Sequence, residues 1–328
     1  MTLQQTDVFG IMRSDLERVD RRVAQAADLD YPIASTVVAD IVRAGGKRLR
    51  PLVLLLCGRS YDYDVDTLVT AAAGVELLHT ASLIHDDTVD RAALRRGKPT
   101  LNSMMSAGAV ILVGDYLFAQ SAILAAATNS TRVVTVFAST LGDLCNGQLH
   151  EMFNAHRLDQ SREQYEERIY GKSASLFAGA AEMGAIIGAA PEDHIASLRA
   201  YGSNLGMAFQ IVDDVLDLTE NTQDLGKPAG HDLRQGTVTL PTMFYASELP
   251  STSADFQRLS AVVSGNGESH ELVEDLVIAI RGSNAISASI DVAREYVDRA
   301  KRCADIVPDP ETRGLLYEVA DFALHRLS

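Results

Sequence analysis

The sequence predicts an all-α fold, built as a single domain of many helices. Nearly every segment between Gly and Pro breaks repeats its apolar residues every three or four positions, the period of a helix with one buried face. No segment shows the sustained alternation of β-branched residues typical of a strand, so no strand is predicted. Of the 328 residues, 47% are hydrophobic and 22% charged, which suits a large core. We expect one domain over residues 1–328, since neither a linker nor a solenoid repeat is present.

The predicted helices begin with an amphipathic segment over 8–23 and a second over 33–42, which ends at Gly45-Gly46. Pro51 is expected to open the third helix at its first position, where a missing N–H costs nothing. One long helix rich in Ala and Leu is predicted from Asp66 to Asp90. Further helices are predicted at about 107–127, 131–155, 162–189, 193–219 and 238–248, with more beyond Pro250.

The segment 107–127 is long and apolar enough to span a bilayer. A charge at the centre of a span is costly in lipid, and Asp115 lies near the centre of this one. We therefore predict a buried core helix and no integral membrane span. The first 23 residues carry both signs of charge and lack the apolar core of a secretory signal.

Charge and cysteine content exclude several classes of protein. Acidic residues number 44 and basic residues 29, for a net charge of −15, which argues against nucleic-acid binding. The three cysteines are far apart, with no CxxC pair and no histidine pair nearby, so neither a disulfide framework nor a structural zinc site is expected. A reducing, cytoplasmic location is predicted.

Two aspartate clusters are the most informative feature. Both have the pattern DDxxD at the end of an otherwise apolar helix, and they comprise Asp86, Asp87, Asp90 and Asp213, Asp214, Asp217. Positions i and i+4 lie on one face of a helix, where like charges repel. Divalent cations such as Mg²⁺ take oxygen ligands and relieve this repulsion. One such cluster could simply be a solvated helix end, but two copies favour metal binding, and neither has the spacing of an EF-hand.

Basic residues gather in turns, although the chain is acidic. They lie at 45–51, at 95–98, and after glycine at Lys172 and Lys227. Each cluster alone is best explained as a solvated turn. Beside two carboxylate clusters they indicate anion sites, because Arg binds phosphate in a bidentate way and Lys supplies a point charge.

Five ordered motifs resemble those of the trans-prenyl diphosphate synthases. They are GGKRLRP (45–51), ELLHTASLIHDDTVDRAALRRGKPT (76–100), GKSASLF (171–177), FQIVDDVLD (209–217) and GKPAGHDLRQGTVTLP (226–241). The resemblance runs from about residue 35 to 245 and continues weakly to the end. It implies an all-α bundle around a deep central apolar cavity, and a prenyltransferase that joins isopentenyl diphosphate to an allylic prenyl diphosphate.

The resemblance also implies roles for individual residues. The six aspartates would hold Mg²⁺, about three ions when substrate is bound, and these would stabilise the departing diphosphate. The residues expected at the allylic diphosphate are Arg95, Lys172 and Lys227, with Gln210 alongside. Those expected at the diphosphate of isopentenyl diphosphate are Lys47, Arg50, His79 and Arg96. Without the motif, His79 would be taken for a core histidine.

Product length is predicted from two small residues. Ser82 and Ala81 lie four and five positions before Asp86, where short-chain members of the family carry bulky aromatics. We therefore expect a product of about C30 to C50, the size of a quinone side chain. Thr237 stands where the farnesyl-type motif often has lysine, which disfavours a farnesyl synthase. A shorter, geranylgeranyl or farnesyl product remains the alternative.

Three other classes of protein fit the sequence less well. A class I terpene cyclase usually lacks the second DDxxD, and a non-catalytic synthase subunit typically loses both. A di-iron carboxylate protein needs a second ExxH besides Glu76 to His79, and none is present in the sequence. A homodimer is expected from the family resemblance, with a small second subunit as the alternative.

Overall fold

The structure is a computed structural model that describes residues 7–43, 47–95, 98–219, 229–266 and 270–327. Its first helices are α1 (Val8–Ile11), α2 (Arg13–Ala26), α3 (Pro32–Arg43), α4 (Leu49–Arg59) and α5 (Val65–Val89). A short hairpin follows, of β1 (Leu94–Arg95) and β2 (Lys98–Pro99), and then a 3₁₀ turn (Leu101–Ser103). Next come α6 (Ala107–Ala126), α7 (Thr131–Asn154), α8 (Arg162–Ile169), a π-helical turn (Tyr170–Ala174), α9 (Ser175–Ile187) and α10 (Glu192–Thr219).

The remaining helices are short or medium in length. They are α11 (His231–Arg234), α12 (Leu240–Glu248), α13 (Ala254–Val263), α14 (His270–Gly282), α15 (Ala285–Ala304) and α16 (Pro310–His325). The prediction of an all-α fold is confirmed. The prediction that strands are absent was wrong for one hairpin, in which Leu94 pairs with Pro99 and Arg95 with Lys98. Strands of two residues are too short to show alternation in a sequence.

Several helix boundaries differ from those predicted, and the helix predicted at 162–189 is divided into α8, the π-helical turn and α9. The first predicted helix is broken at Met12, between α1 and α2. The helix containing Pro51 begins at Leu49, so the proline is its third residue rather than its first. Its missing N–H still costs nothing there, because the first four N–H groups of a helix have no partner within the helix.

The chain forms two compact units, each assembled from several segments. The first comprises 1–142, 175–203 and 300–321, and the second 143–174, 204–299 and 322–328. The prediction of a single domain over 1–328 stays a prediction, as does the deep central cavity.

The core of the first unit is built around α5 and α4. Helices α2, α4, α6 and α9 all pack against α5, and α9 also packs closely against α4. Leu52 to Leu56 and Leu77-Leu78 are completely buried. A Cβ at Gly184 of α9 would overlap the carbonyl oxygen of Leu54, so glycine allows these two helices their close approach. At its start, α5 is capped by Asp64, whose side chain accepts a hydrogen bond from the N–H of Thr67.

Helix α6 is buried on one face only, which corrects the prediction of a buried core helix. Its outer face exposes Ile111, Leu112 and Ile123, and Leu112 is 69% exposed. When a helix is apolar on all sides, its sequence does not indicate which face packs against the rest of the chain. By length and composition α5 and α6 could each cross a membrane, as could the bent pair of α14 and α15; 72% of the apolar window of α5 is buried, against 39% for α6.

The second unit has its own apolar core. It joins the end of α10 to helices α11 to α14 through Leu218, Leu233, Tyr245, Leu259 and Ile280, all of them buried. The carboxyl end of α10, which carries the second aspartate motif, is thereby fixed in place beside α11. The next residues described after α10 are Ala229 and those that follow it, and the N–H of Gly230 donates to the carbonyl of Asp217 at 2.8 Å.

Candidate functional site

The first aspartate motif occupies the last turn of α5. Asp87 is buried and its Oδ1 accepts a hydrogen bond from Nε of Arg95 at 2.8 Å. Asp86 is half-buried, while Asp90 caps the helix and is exposed. Arg95, predicted to bind the allylic diphosphate, lies on β1 and acts in this structure as the counter-ion of Asp87.

The residue before this motif fastens α5 to α6. The Nε2 atom of His85 lies 3.1 Å from the carbonyl oxygen of Ile111, and its ring packs edge-on against Phe118. A Cβ at Gly114 would overlap the His85 ring, so the glycine makes room for it. The position of the first motif therefore depends on its packing against α6.

The basic turn before α4 is organised by Arg48, to which the sequence analysis gave no role. Its backbone has a left-handed φ of 52°. Its guanidinium bonds the buried Glu76 at 2.5 Å, Asp20 at 2.7 Å and the carbonyl of Val42 at 2.7 Å. The carboxylate of Glu76 is therefore engaged in an ion pair with Arg48. This also argues against a di-iron site, which would need that glutamate as a ligand.

The structure brings together two residues predicted for one diphosphate. Nη1 of Arg50 lies 3.1 Å from Nε2 of His79, and its guanidinium stacks 4.5 Å above the ring of Phe177. Stacking holds the planar group in one orientation, as bidentate phosphate binding requires. Lys47 is exposed in the same turn. Arg96, the fourth residue predicted here, lies outside the described residues.

In the second unit Lys172 lies on the π-helical turn between α8 and α9. The backbone of this turn lies directly against the backbone of α7. A Cβ at Gly147 would overlap the amide nitrogen of Lys172, so glycine is needed for this close approach. The Nζ atom of Lys172 bonds Oε1 of Glu151, one turn further along α7. Glu151 was missed by sequence reasoning, since a single acidic residue on a helix carries no motif. Lys227, predicted beside Lys172, lies outside the described residues.

A chain of hydrogen bonds joins this turn to the second aspartate motif. Ser173 donates to Oε1 of Gln210 at 2.5 Å, and Nε2 of Gln210 donates to Oδ1 of Asp214 at 2.9 Å. The buried hydroxyl of Tyr165 donates to Oδ2 of Asp214 at 2.7 Å. Both oxygens of Asp214, which is 3% exposed, are therefore held by protein donors.

Asp217 and Asp232 form an acidic pair beside Asp214. The N–H of Asp232, at the start of α11, donates to Oδ2 of Asp217 at 3.2 Å. Burial, and then the charge of Asp232, raise the pKa of Asp214 to about 7 and that of Asp217 to about 8. Carboxyl groups so destabilised as anions gain most from a nearby cation. The sequence alone did not indicate that Asp232 belongs to this cluster.

The first residue of the second motif has a basic partner that the sequence did not indicate. Nη2 of Arg326, just beyond α16, lies 2.6 Å from Oδ1 of Asp213. The same guanidinium lies 4.2 Å above the ring of Phe209. No motif signals this contact, because the two residues are more than 100 positions apart.

The donor set suits a hard divalent cation, since both motifs offer carboxylate oxygens alone. Within the described ranges, no three His, Cys, Asp or Glu side chains are arranged as a metal-binding group. Asp87, Asp213, Asp214 and Asp217 are instead paired with protein donors. A metal ion would bind these side chains through their remaining oxygen lone pairs, or displace one of those donors.

Comparison with known proteins identifies the family. The chain matches the Polyprenyl synthetase family over residues 31–280. It is 36% identical over 315 residues to heptaprenyl diphosphate synthase component 2 of Geobacillus stearothermophilus, covering 95% of this chain and 96% of that protein. A polyprenyl synthase from Caulobacter crescentus CB15, solved with calcium and isoprenyl diphosphate, matches with a TM-score of 0.93 and 34% identity over 98% of this chain and 97% of that one. A decaprenyl diphosphate synthase from Rhodobacter capsulatus matches with a TM-score of 0.91 and 33% identity, covering 98% of both chains.

Fold and site together define an all-α prenyltransferase. The chain belongs to the polyprenyl synthetase family, and the resemblance to trans-prenyl diphosphate synthases of the medium- or long-chain type is confirmed.

Proposed function

We propose that this enzyme joins isopentenyl diphosphate repeatedly to an allylic prenyl diphosphate, and makes a trans-polyprenyl diphosphate of about C30 to C50 for a quinone side chain. The observation that carries the proposal is the hydrogen-bonded chain from the Lys172 turn through Gln210 to Asp214. It links a cationic turn to a carboxylate cluster, the two components needed to hold a diphosphate through metal ions.

The reaction needs a stabilised leaving group and an isolated cation. The C–O bond of the allylic diphosphate breaks and leaves an allylic cation, which the double bond of isopentenyl diphosphate attacks. The new C–C bond leaves a tertiary cation, and a proton is lost from the carbon next to that cation to form the new double bond, with the departing diphosphate as base. Arg95, Lys172, Lys227 and Gln210 are proposed to bind the allylic diphosphate. Their positive charges and N–H donors stabilise the charge that develops on the leaving oxygen.

The second substrate is proposed to bind at the basic turn of the first unit. Arg50 and His79 lie within hydrogen-bond distance of each other, and the guanidinium of Arg50 stacks on the ring of Phe177. Lys47, in the same basic turn, and Arg96 are proposed to add further positive charge. Excluding water keeps the allylic cation available to this substrate.

The six aspartates are proposed to hold Mg²⁺, which when bound neutralises the departing diphosphate as a Lewis acid. The hydrogen-bond partners of these aspartates differ, which suggests that they contribute differently to metal binding. Asp214 accepts two buried hydrogen bonds, so it would lose most by turning toward an ion. Asp214 is therefore proposed to position Gln210 as well, and to contact an ion through the oxygen lone pairs that these hydrogen bonds do not use.

A homodimer is proposed on the exposed apolar face of α6. An unpaired face of this kind marks an interaction site more often than a solvated surface. The relative named component 2 supports the alternative, a small second subunit on the same face. Because the described cysteines Cys57, Cys145 and Cys303 are all free, a reducing cytoplasmic location is also proposed.

The test is to incubate the purified chain with Mg²⁺, isopentenyl diphosphate and farnesyl or geranylgeranyl diphosphate, and to size the products. We expect chains of about C30 to C50, and no turnover with EDTA until Mg²⁺ is restored in excess. A product that stops at C15 or C20 would contradict the length proposal. Turnover only after a second polypeptide is added would replace the homodimer by the two-subunit enzyme.

A further inference from the structure

Arg326 makes a contact that the proposed chemistry does not use. It follows α16 in the last described turn of the chain, and one nitrogen, Nη2, pairs with Asp213 at 2.6 Å. The planar group lies 4.2 Å above the ring of Phe209, one turn before Asp213 on α10. The carboxylate and the ring hold the guanidinium on the same face of α10 as the first carboxylate of the second motif.

Arg326 is partly buried where it makes this contact. Its side chain is 26% exposed, so the ion pair is shielded more than one on an open surface. Its other terminal nitrogen, Nη1, is buried and has no hydrogen-bond partner among the described residues. A buried, unused donor is unfavourable. The guanidinium is therefore held at Asp213 without being fully satisfied there.

We propose that Arg326 is an internal counter-ion, which neutralises Asp213 until a divalent cation displaces it. The proposal rests on the proposed function in one respect, the assignment of Asp213 as a metal ligand. The cation and the guanidinium compete for the same carboxylate, and their positive charges repel each other at that distance. Arg326 thus weakens cation binding at the second motif. Once displaced, its donors match the oxygens of a diphosphate, which accepts bidentate arginine.

The competing explanation is that Arg326 only fastens the end of α16 to α10. Stability alone cannot separate the two, because loss of an anchor and loss of a counter-ion both alter folding. Affinity for a cation separates them. An anchor, when removed, leaves that affinity unchanged or lowers it, whereas a competing counter-ion, when removed, raises it.

The experiment titrates each full-length variant with Mn²⁺ and measures free Mn²⁺ by electron paramagnetic resonance, without prenyl substrate. We expect Arg326→Gln to lower the Kd for Mn²⁺ by about three- to tenfold, the range for loss of one shielded charged partner. Arg326→Lys keeps the charge but not the planar group, and gives a smaller decrease. Arg299→Gln is the matched control, since Arg299 also pairs with a carboxylate, Glu295, and stacks on an aromatic ring in the same unit.

The double variant Asp213→Asn/Arg326→Gln should bind Mn²⁺ no more tightly than Asp213→Asn alone, because the contested carboxylate is gone. An unchanged Kd in Arg326→Gln, or an equal gain in Arg299→Gln, would overturn the proposal. If Arg326→Gln does not fold, as judged by circular dichroism, Arg326→Lys carries the test. Prenyl transfer by the wild type is assayed separately, so an inactive enzyme with the expected Mn²⁺ shifts would refute the proposed function but not the counter-ion.

Discussion

At the scale of single residues, both motifs contain carboxylates that are paired within the protein. Asp87 has Arg95, Asp213 has Arg326, and Asp214 has Tyr165 and Gln210. Such pairing avoids the repulsion that unpaired like charges would cause on a helix. Removing one member leaves its partner unpaired, so each variant is checked for folding beside its activity.

Asp213→Ala should lower kcat by about 100-fold or more, because it removes a ligand for the cation that stabilises the leaving group. Asp86→Ala should do the same at the first motif. Circular dichroism should show an intact helical fold in both. Asp291→Ala, which breaks an exposed ion pair with Arg294, is the control and should keep normal turnover. Near-normal activity in both motif variants would refute the metal assignment.

Arg50→Ala should mainly raise the KM for isopentenyl diphosphate, by about tenfold, because it removes a charge-assisted contact. Lys172→Ala should act mainly on the allylic substrate. Steady-state kinetics with each substrate varied in turn measures the split. If both variants weaken the same substrate equally, the assignment of two separate diphosphate sites is wrong.

At the scale of elements, close backbone contacts place the site residues. The π-helical turn that carries Lys172 can touch α7 only because Gly147 and Gly171 lack side chains. The same turn carries Ser173, which begins the hydrogen-bonded chain to Asp214. Its geometry therefore affects both the cation and the carboxylate.

Gly147→Ala should destabilise the protein by about 2 kcal/mol or more, since the new Cβ meets backbone atoms that cannot easily move. Gly142→Ala on the same helix meets nothing within 4 Å, and should be neutral or stabilising by up to about 1 kcal/mol. Thermal or denaturant unfolding measures both. Equal stability of the two variants would show that the contact between α7 and the turn is not tight.

Two residues of α5 test the control of product length. Ala81 is fully buried, four residues before His85, which packs on α6. Ser82 shares the face of His79 and Asp86, and its hydroxyl donates to the carbonyl of His79 at 2.8 Å. The two positions therefore face different surroundings.

Ala81→Phe or Ser82→Phe should shorten the product to C15–C20 and leave the first condensation intact, because a ring one turn before Asp86 blocks the growing chain. Product sizing with each variant shows which face the chain follows. Unchanged products from both variants would refute this account of length control, provided both remain folded.

At the scale of the whole molecule, assembly depends on surface that the fold leaves uncovered. Leu112 and its neighbours on α6 have no partner within the described chain that buries them. Leu112→Glu should convert a dimer to a monomer, since a charge cannot be buried in an apolar interface without a partner. Light scattering after size-exclusion chromatography measures the mass.

Ile278→Glu is the control, because Ile278 on α14 is also exposed, at 65%, and belongs to the second unit. It should leave the mass unchanged. A monomeric wild type, or a dimer that survives Leu112→Glu, would contradict the proposed interface.

The sequence predicted the all-α fold class, which the structure confirms, whereas the roles of the site residues stay predictions. The long helix predicted at 66–90 is α5 at Val65–Val89, because apolar period and capping residues act locally. The pairing of Arg50 with His79 followed from a motif resemblance that the geometry supports. The break at Met12 and the short hairpin were missed, since each covers too few residues to leave a period.

What the sequence determined by itself is local: helix content, the two DDxxD motifs and the family they indicate. Only the tertiary structure decided which distant residues complete the site, namely Glu151 beside Lys172, Asp232 beside Asp217 and Arg326 on Asp213. It also decided that α6 leaves one apolar face exposed. The reason is physical, because period and spacing describe one element at a time, whereas ion pairs and buried faces depend on which elements pack together.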